Sequence, residues 1–212
     1  MVDIAKVTPP ETYGGPVIGS TDDGGVPIGL LFTGAPGAAP PNSSVIVTNL
    51  DSTDAPFVTT ARENGSFVVG IQMDLSDELR FEAITASGRT PPSDGKISDA
   101  PETALRAASR HACLSLEPGF SLDVTGQNTA SLVLRNQCDG AVELDDARFR
   151  TEGAEFTLLT TLPLEVPSQQ STTLEFAHVP ASGSASEVVL FVDVTLSGET
   201  LRYPITLYAN AR

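Results

Sequence analysis

The 212-residue chain has no tryptophan, two cysteines, two histidines and two methionines. So few histidines leave little material for a Ser-His-Asp relay, and no G-x-S-x-G stretch marks a nucleophile elbow. Basic residues are also scarce, with 12 Lys and Arg against 27 Asp and Glu and a net charge of −15. A surface of that sign repels duplex DNA and anionic lipid, so no nucleic-acid partner is expected. No apolar run approaches the roughly 18 residues that a spanning helix needs, so no transmembrane segment is expected. The opening "MVDIAKVTPPETYGGP" lacks the basic and apolar regions of a signal peptide. Met1 is then either the start of a protein that stays inside the cell, or it stands where an export signal has been removed.

What is abundant is turn chemistry. Gly and Pro number 18 and 16, clustered between short runs rich in Val, Ile, Phe and Thr. In the first part these runs are 2–7, 27–34, 44–50, 56–62, 65–71 and 79–85. In the last part they are 113–117, 120–124, 129–136, 142–150, 156–159, 171–178, 187–196 and 201–209. Strands of this length between turn signals predict an all-β fold of two sandwiches. Asn64-Gly65 and Ser197-Gly198-Glu199 are the clearest tight turns. Pro9-Pro10 is expected to end the first strand, whose Val2, Ile4 and Val7 need a sheet edge to cover them, by preference one in their own domain.

Between the two parts, "DAPETALRAASR" is alanine-rich. Asp99 stands at an N-cap position, with Pro101 in the first turn and Glu102 in capping-box position. The expected organisation is a β-sandwich over 1–90, a linker with a short helix over 91–111, and a β-sandwich over 112–212.

Cys113 and Cys138 are the only thiols. A zinc site needs about four N or S ligands at close spacing, and there is no C-x-x-C, although His111 lies beside Cys113. A cysteine nucleophile would need a base, and His111 is the only local one. If 113–117 and 129–136 are antiparallel neighbours, the start of one lies beside the end of the other, and the two cysteines meet within disulfide range. Geometry favours a Cys113–Cys138 bridge, with two buried free thiols as the alternative. A bridge points to an oxidising compartment, and so to an extracytoplasmic location at the cell surface or in the periplasm.

The remaining chemistry is sparse. The acidic pairs Asp22-Asp23, Asp77-Glu78 and Asp145-Asp146 read as solvated loops, and glycosidase use would need a cleft that raises one carboxyl. "STDDGG" (20–25) and "NLDSTDAP" (49–56) carry oxygen ligands that suit calcium, without EF-hand spacing. No catalytic residue, cofactor or metal ligand is assigned, and the chain is expected not to be an enzyme.

Two resemblances add to this reading. "GAPGAAPPNSSVIVTNL…FVTTARENGSFVVGI…DELRFEAITASGRTPPS", about residues 30–93, is similar to bacterial immunoglobulin-like domains of surface proteins. "TASLVLRNQCDGAVELDDARFR…EVVLFVDVTL…LRYPITLYA", within about 112–210, resembles the abnormal-spindle/hydin-type immunoglobulin-like domains. Both imply binding or spacer modules. The expectation is a bacterial envelope protein acting as spacer, adhesin-like or assembly module, with a possible lipid anchor outside these 212 residues. Its partner would be a protein, or further copies of the chain, engaged through loops or strand edges. A surface-filament or virion-decoration subunit and a carbohydrate-binding accessory module are the alternatives.

Overall fold

The computed structural model describes residues 1–12, 29–98, 104–151, 155–179 and 185–210. The chain divides into two compact units, Met1–Ala108 and Ser109–Arg212. Among the described residues no α-helix forms, and no helix is long and apolar enough to cross a membrane.

Alternation of apolar and polar residues puts one face of each strand inward, and this builds the first unit as a sandwich. Its strands are β1 (Val7–Thr12), β2 (Gly29–Gly34), β3 (Ser44–Asn49), β4 (Phe57–Thr60), β5 (Phe67–Gln72), β6 (Glu78–Thr85), β7 (Gly88–Arg89), β8 (Ser93–Ser98) and β9 (Ala104–Ala107). A smaller sheet has the order β1-β2-β5, and a larger one the order β4-β3-β6-β8-β9, with β7 paired to β6. Leu30, Phe32, Phe67 and Ile71 from the smaller sheet meet Val45, Val47, Leu79 and Phe81 from the larger in one core. Phe32 and Phe81 pack edge to face across it, with ring centroids 6.2 Å apart.

The Asn64-Gly65 turn joins strands of different sheets, carrying the chain from β4 in the larger to β5 in the smaller. Gly65 has φ +79°, and a Cβ there would collide with the Ala39 carbonyl oxygen, so both the backbone conformation and the close approach demand glycine. Asn64 Oδ1 accepts the Ser66 N–H at 3.0 Å and completes the turn.

Two expectations in this unit are corrected. Pro9-Pro10 does not end the first strand. Residues Ile4–Lys6 form a 3-10 turn, and the strand begins at Val7 and runs through both prolines. A sheet edge permits this, because among the described residues β1 pairs with one strand only and its register shifts between Thr8 and Glu11, which releases the ladder where proline cannot donate. Nor do the described residues of 91–111 form a linker with a helix. Residues 93–98 and 104–107 are strands β8 and β9, paired from Gly95↔Ala107 to Ser98↔Ala104. The expected cap residues Asp99, Pro101 and Glu102 lie outside the described residues. Helix propensity over so short a segment is weak, whereas Leu105 in the sheet is 6% exposed against the core.

The second unit comprises β10 (Leu114–Glu117), β11 (Ser121–Asp123), β12 (Thr129–Asn136), β13 (Val142–Phe149), β14 (Phe156–Leu158), β15 (Leu164–Val166), β16 (Ser171–His178), β17 (Ser186–Leu196) and β18 (Glu199–Ala209). One sheet runs β10-β12-β16-β14 and the other β11-β18-β17-β13-β15, enclosing a core that includes Leu132, Leu134, Leu174, Phe176, Leu190, Val192, Tyr203 and Ile205. The β17–β18 hairpin pairs without interruption from Ser186↔Ala209 to Leu196↔Glu199. Its two-residue turn has positive φ at Ser197 (52°) and Gly198 (84°), the twist-matching geometry for a right-handed ladder. Beside this hairpin lies β11, parallel to β18.

Candidate functional site

The two cysteines stand at the end of the β10–β12 pair, which runs from Leu114↔Asn136 to Glu117↔Val133. The structure joins them by a disulfide with Cα atoms 4.9 Å apart. The 136–140 loop that carries Cys138 is also fastened without the bridge. Asn136 Nδ2 lies 2.9 Å from the Gly140 and Val166 carbonyls and 3.1 Å from that of Pro167, while Asn136 Oδ1 accepts the Cys138 N–H. Ser168 Oγ donates to the Cys138 carbonyl at 2.6 Å. This buried asparagine was not legible in the sequence, since two of its partners, the Val166 and Pro167 carbonyls, belong to a loop about 30 residues away.

His111 does not share a site with Cys113. Its Nε2 lies 3.3 Å from the Val194 carbonyl, and its backbone N–H donates to Tyr203 Oη at 2.7 Å. Tyr203 stacks between His111 and Phe120, and its burial pushes the phenol pKa up to about 12, against the lowering by the His111 backbone and Arg110.

His178 meets a serine and a carboxylate. Its Nε2 lies 3.2 Å from Ser186 Oγ and 3.7 Å from Glu155 Oε2, and its Nδ1 lies 3.2 Å from the Gln127 carbonyl. Both oxygens approach the same ring nitrogen, whereas a serine relay needs the carboxylate on the other one. The ring is buried and stacks on Phe156 at 4.7 Å.

The expectation that the acidic pairs are solvated loops is corrected for two of them: Glu78 is buried at the start of β6, and Asp145 and Asp146 lie within β13. Asp77 Oδ2 accepts from Asn49 Nδ2 and from the Asp74 N–H, Asp51 Oδ2 accepts the Glu78 N–H, and Ser52 Oγ donates to Asp54. Asp145 accepts from Thr195 Oγ1, and Asp146 from the Ala147 N–H. Asp22-Asp23 and the 20–25 segment lie outside the described residues. Among the described residues no group of three or more His, Cys, Asp or Glu is placed to hold a metal ion. A shallow groove of about 420 Å³ on the second unit is lined by Leu122, Asp123, Gln127, Thr129, Ser131, Glu175 and neighbours, with no aromatic among them.

The sheet edges differ from one another in a way that bears on recognition. An exposed edge strand offers unpaired N–H and C=O groups to any other chain, and proteins usually blunt it by brevity, proline, bulges or charge. Of the described edges, β4, β9 and β10 have four residues, and β11, β14 and β15 have three. β1 has six, with two prolines and a register shift. β5 also has six, reads Phe-Val-Val-Gly-Ile-Gln, and contains neither proline nor charge. Among the described residues β5 pairs with β2 on one side and with no strand on the other. Phe67, Val69 and Ile71 point into the core, and Val68 is 44% exposed on the outer face.

No protein-family model matches the chain, and no curated protein does. Solved structures similar to it exist. One is the CsuC–CsuE chaperone–tip adhesion subunit pre-assembly complex of archaic chaperone-usher Csu pili from Acinetobacter baumannii, at 15% identity and a TM-score of 0.36, over 43% of this chain and 53% of that one. Another is the ASH/PapD-like domain 7 of human CEP192, at 11% identity and a TM-score of 0.38, over 54% and 97%. A third is the Vibrio cholerae VesB protease, at 10% identity and a TM-score of 0.41, over 80% and 62%. The match thus spans about half of the first and under two thirds of the third. These are likenesses of fold alone. They also correct the expectation that the chain is not an enzyme. The finding against it is that a protease, at 10% identity, is among the similar structures.

Proposed function

We propose that the chain is an extracytoplasmic assembly module of a bacterial envelope, which joins a protein partner by adding that partner's strand to its own sheet. The observation that carries this is the β5 edge, which pairs with β2 alone among the described residues and is free of proline and charge. Main-chain hydrogen bonds along such an edge supply affinity, and the alternating side chains supply selectivity. The Cys113–Cys138 bridge supports an oxidising compartment. The resemblance to bacterial surface immunoglobulin-like domains supports the same setting.

A photo-crosslinkable residue in place of Val68, in the native cell, is expected to give adducts in the envelope fraction. The same residue in place of Thr173, exposed on the second unit, is expected to give none. Adducts from both positions, from neither, or only in the cytoplasmic fraction would overturn the reading.

A further inference from the structure

We propose that the β5 edge selects a strand carrying a bulky apolar side chain opposite Gly70 and cationic residues at its ends. This rests on the edge reading above and goes on to define the chemistry of the occupant.

Along β5 the outward positions are Val68, Gly70 and Gln72, because Phe67, Val69 and Ile71 are buried in the core. Gly70 is exposed, and a Cβ built on it meets nothing within 4 Å. It has no positive φ and no close backbone neighbour that would require glycine. Its cross-strand partner is Leu31, which is half-buried, and Val68 lies two residues before it on the same face. Gly70 therefore leaves a recess in the outer face of the sheet, with a backbone floor and apolar walls. A strand laid along the free edge would set one side chain directly opposite Gly70. Cross-strand partners have Cβ atoms about 5 Å apart, and a large ring lying across an edge glycine restores the contact area that the glycine lacks.

Charge narrows the occupant further. β5 is uncharged; the turn before it carries exposed Arg62 and Glu63 side by side, and exposed Asp74 follows it. The whole chain carries −15. A second copy brings the same −15 to the contact and is repelled, whereas a strand with a lysine or arginine at each end is attracted. The occupant is accordingly a strand from another protein.

The test uses the full chain and two tagged peptides, Thr-Lys-Val-Xaa-Val-Lys-Thr with Xaa either Phe or Ala, read by fluorescence anisotropy, in which both lysines share the outward face of Xaa. The central residue faces outward when the two valines face the core. The Phe peptide is expected to bind about fivefold more tightly than the Ala peptide, within the range of an aromatic cross-strand contact. That preference should vanish in Gly70→Val, which fills the recess in open space, and all binding should be lost in Val68→Lys. Equal binding of the two peptides with loss in Val68→Lys would overturn the Gly70 recess and leave the edge reading standing. No binding of either peptide, or binding that ignores Val68→Lys, would overturn both.

Discussion

Arg80, with its side chain fully buried, is gripped by Asp94 on the neighbouring strand through two parallel hydrogen bonds, Nε–Oδ1 at 2.7 Å and Nη2–Oδ2 at 2.8 Å. Burial alone would lower the guanidinium pKa, but attraction to Asp94, helped by Glu82 and Glu78, outweighs it and leaves the pKa raised. Removing one member of a buried pair costs far more than the pair is worth, because the other charge stays in a poor solvent. Asp94→Ala is therefore expected to destabilise the first unit by about 3 kcal/mol, read as a lower urea midpoint. An unchanged midpoint would mean that Asp94 contributes nothing to holding Arg80.

The Cys113–Cys138 bridge closes a loop with a sequence separation of 25. The chain-entropy relation for that length gives about 3.5 kcal/mol. The double variant Cys113→Ala, Cys138→Ala should lose stability of that order and keep its fold at room temperature, since Asn136, Ser168 and Gln169 hold the Cys138 loop independently. The unreduced protein should be lighter than the reduced one by about two hydrogens, one from each thiol. Free reaction of both thiols with an alkylating agent in unfolded, unreduced protein would contradict the bridge.

Tyr203 sets an alkaline limit. An unfolded tyrosine ionises near 10.0 and Tyr203 near 12, so the folded chain keeps the proton longer than the unfolded one. Its contribution to stability is complete below pH 10 and is lost as the pH rises towards 12. Absorbance titration of the three tyrosines should show one ionising later in the native protein than in denaturant. A native curve that overlays the denatured one would remove the effect.

The N-terminal segment docks on its own unit. Val2 is 0% and Val7 4% exposed in the first core, the Asp3 N–H donates to the Ala38 carbonyl at 2.8 Å, and Ser93 Oγ donates to the Val2 carbonyl at 2.6 Å. Deleting residues 1–8 should destabilise the first unit by roughly 3–5 kcal/mol, from the apolar side chains withdrawn. The molar mass in solution should fall only by the missing residues. Loss of a larger species with unchanged melting would point to a role between molecules instead.

How much of this could be read from the sequence depended on what each feature requires. The runs at 129–136 and 171–178 match β12 and β16 because period-2 alternation is a local signal. β8 and β9 escaped that reading, since Ser93-Asp94-Gly95-Lys96 and Ala104-Leu105-Arg106-Ala107 show little β-branched character and owe their state to neighbouring strands. β15 has three residues, too few for any period. The placement of the cysteines could be argued because it needs only one antiparallel pair. The Arg80 pair and the Asn136 loop contacts could not, because burial on an outward strand face and contacts to distant carbonyls exist only once the fold is complete. For β5 the sequence supplied the strand, but only the order of strands revealed it as an edge.

The parallel pairing of β11 with β18 has a consequence for how the second unit comes into being. β18 sits between β11 and β17, so until residues 199–209 are available β11 has no strand neighbour among the described residues and β17 lacks one side of its ladder. Both cysteines and the β10–β12 pair that aligns them lie upstream of residue 140. On a chain delivered from its N-terminus, the staple has all its parts well before the opposite sheet, which needs β18, has all of its own. A chain cut short of residue 199 would keep the means to close its bridge and lose the strand that closes its core.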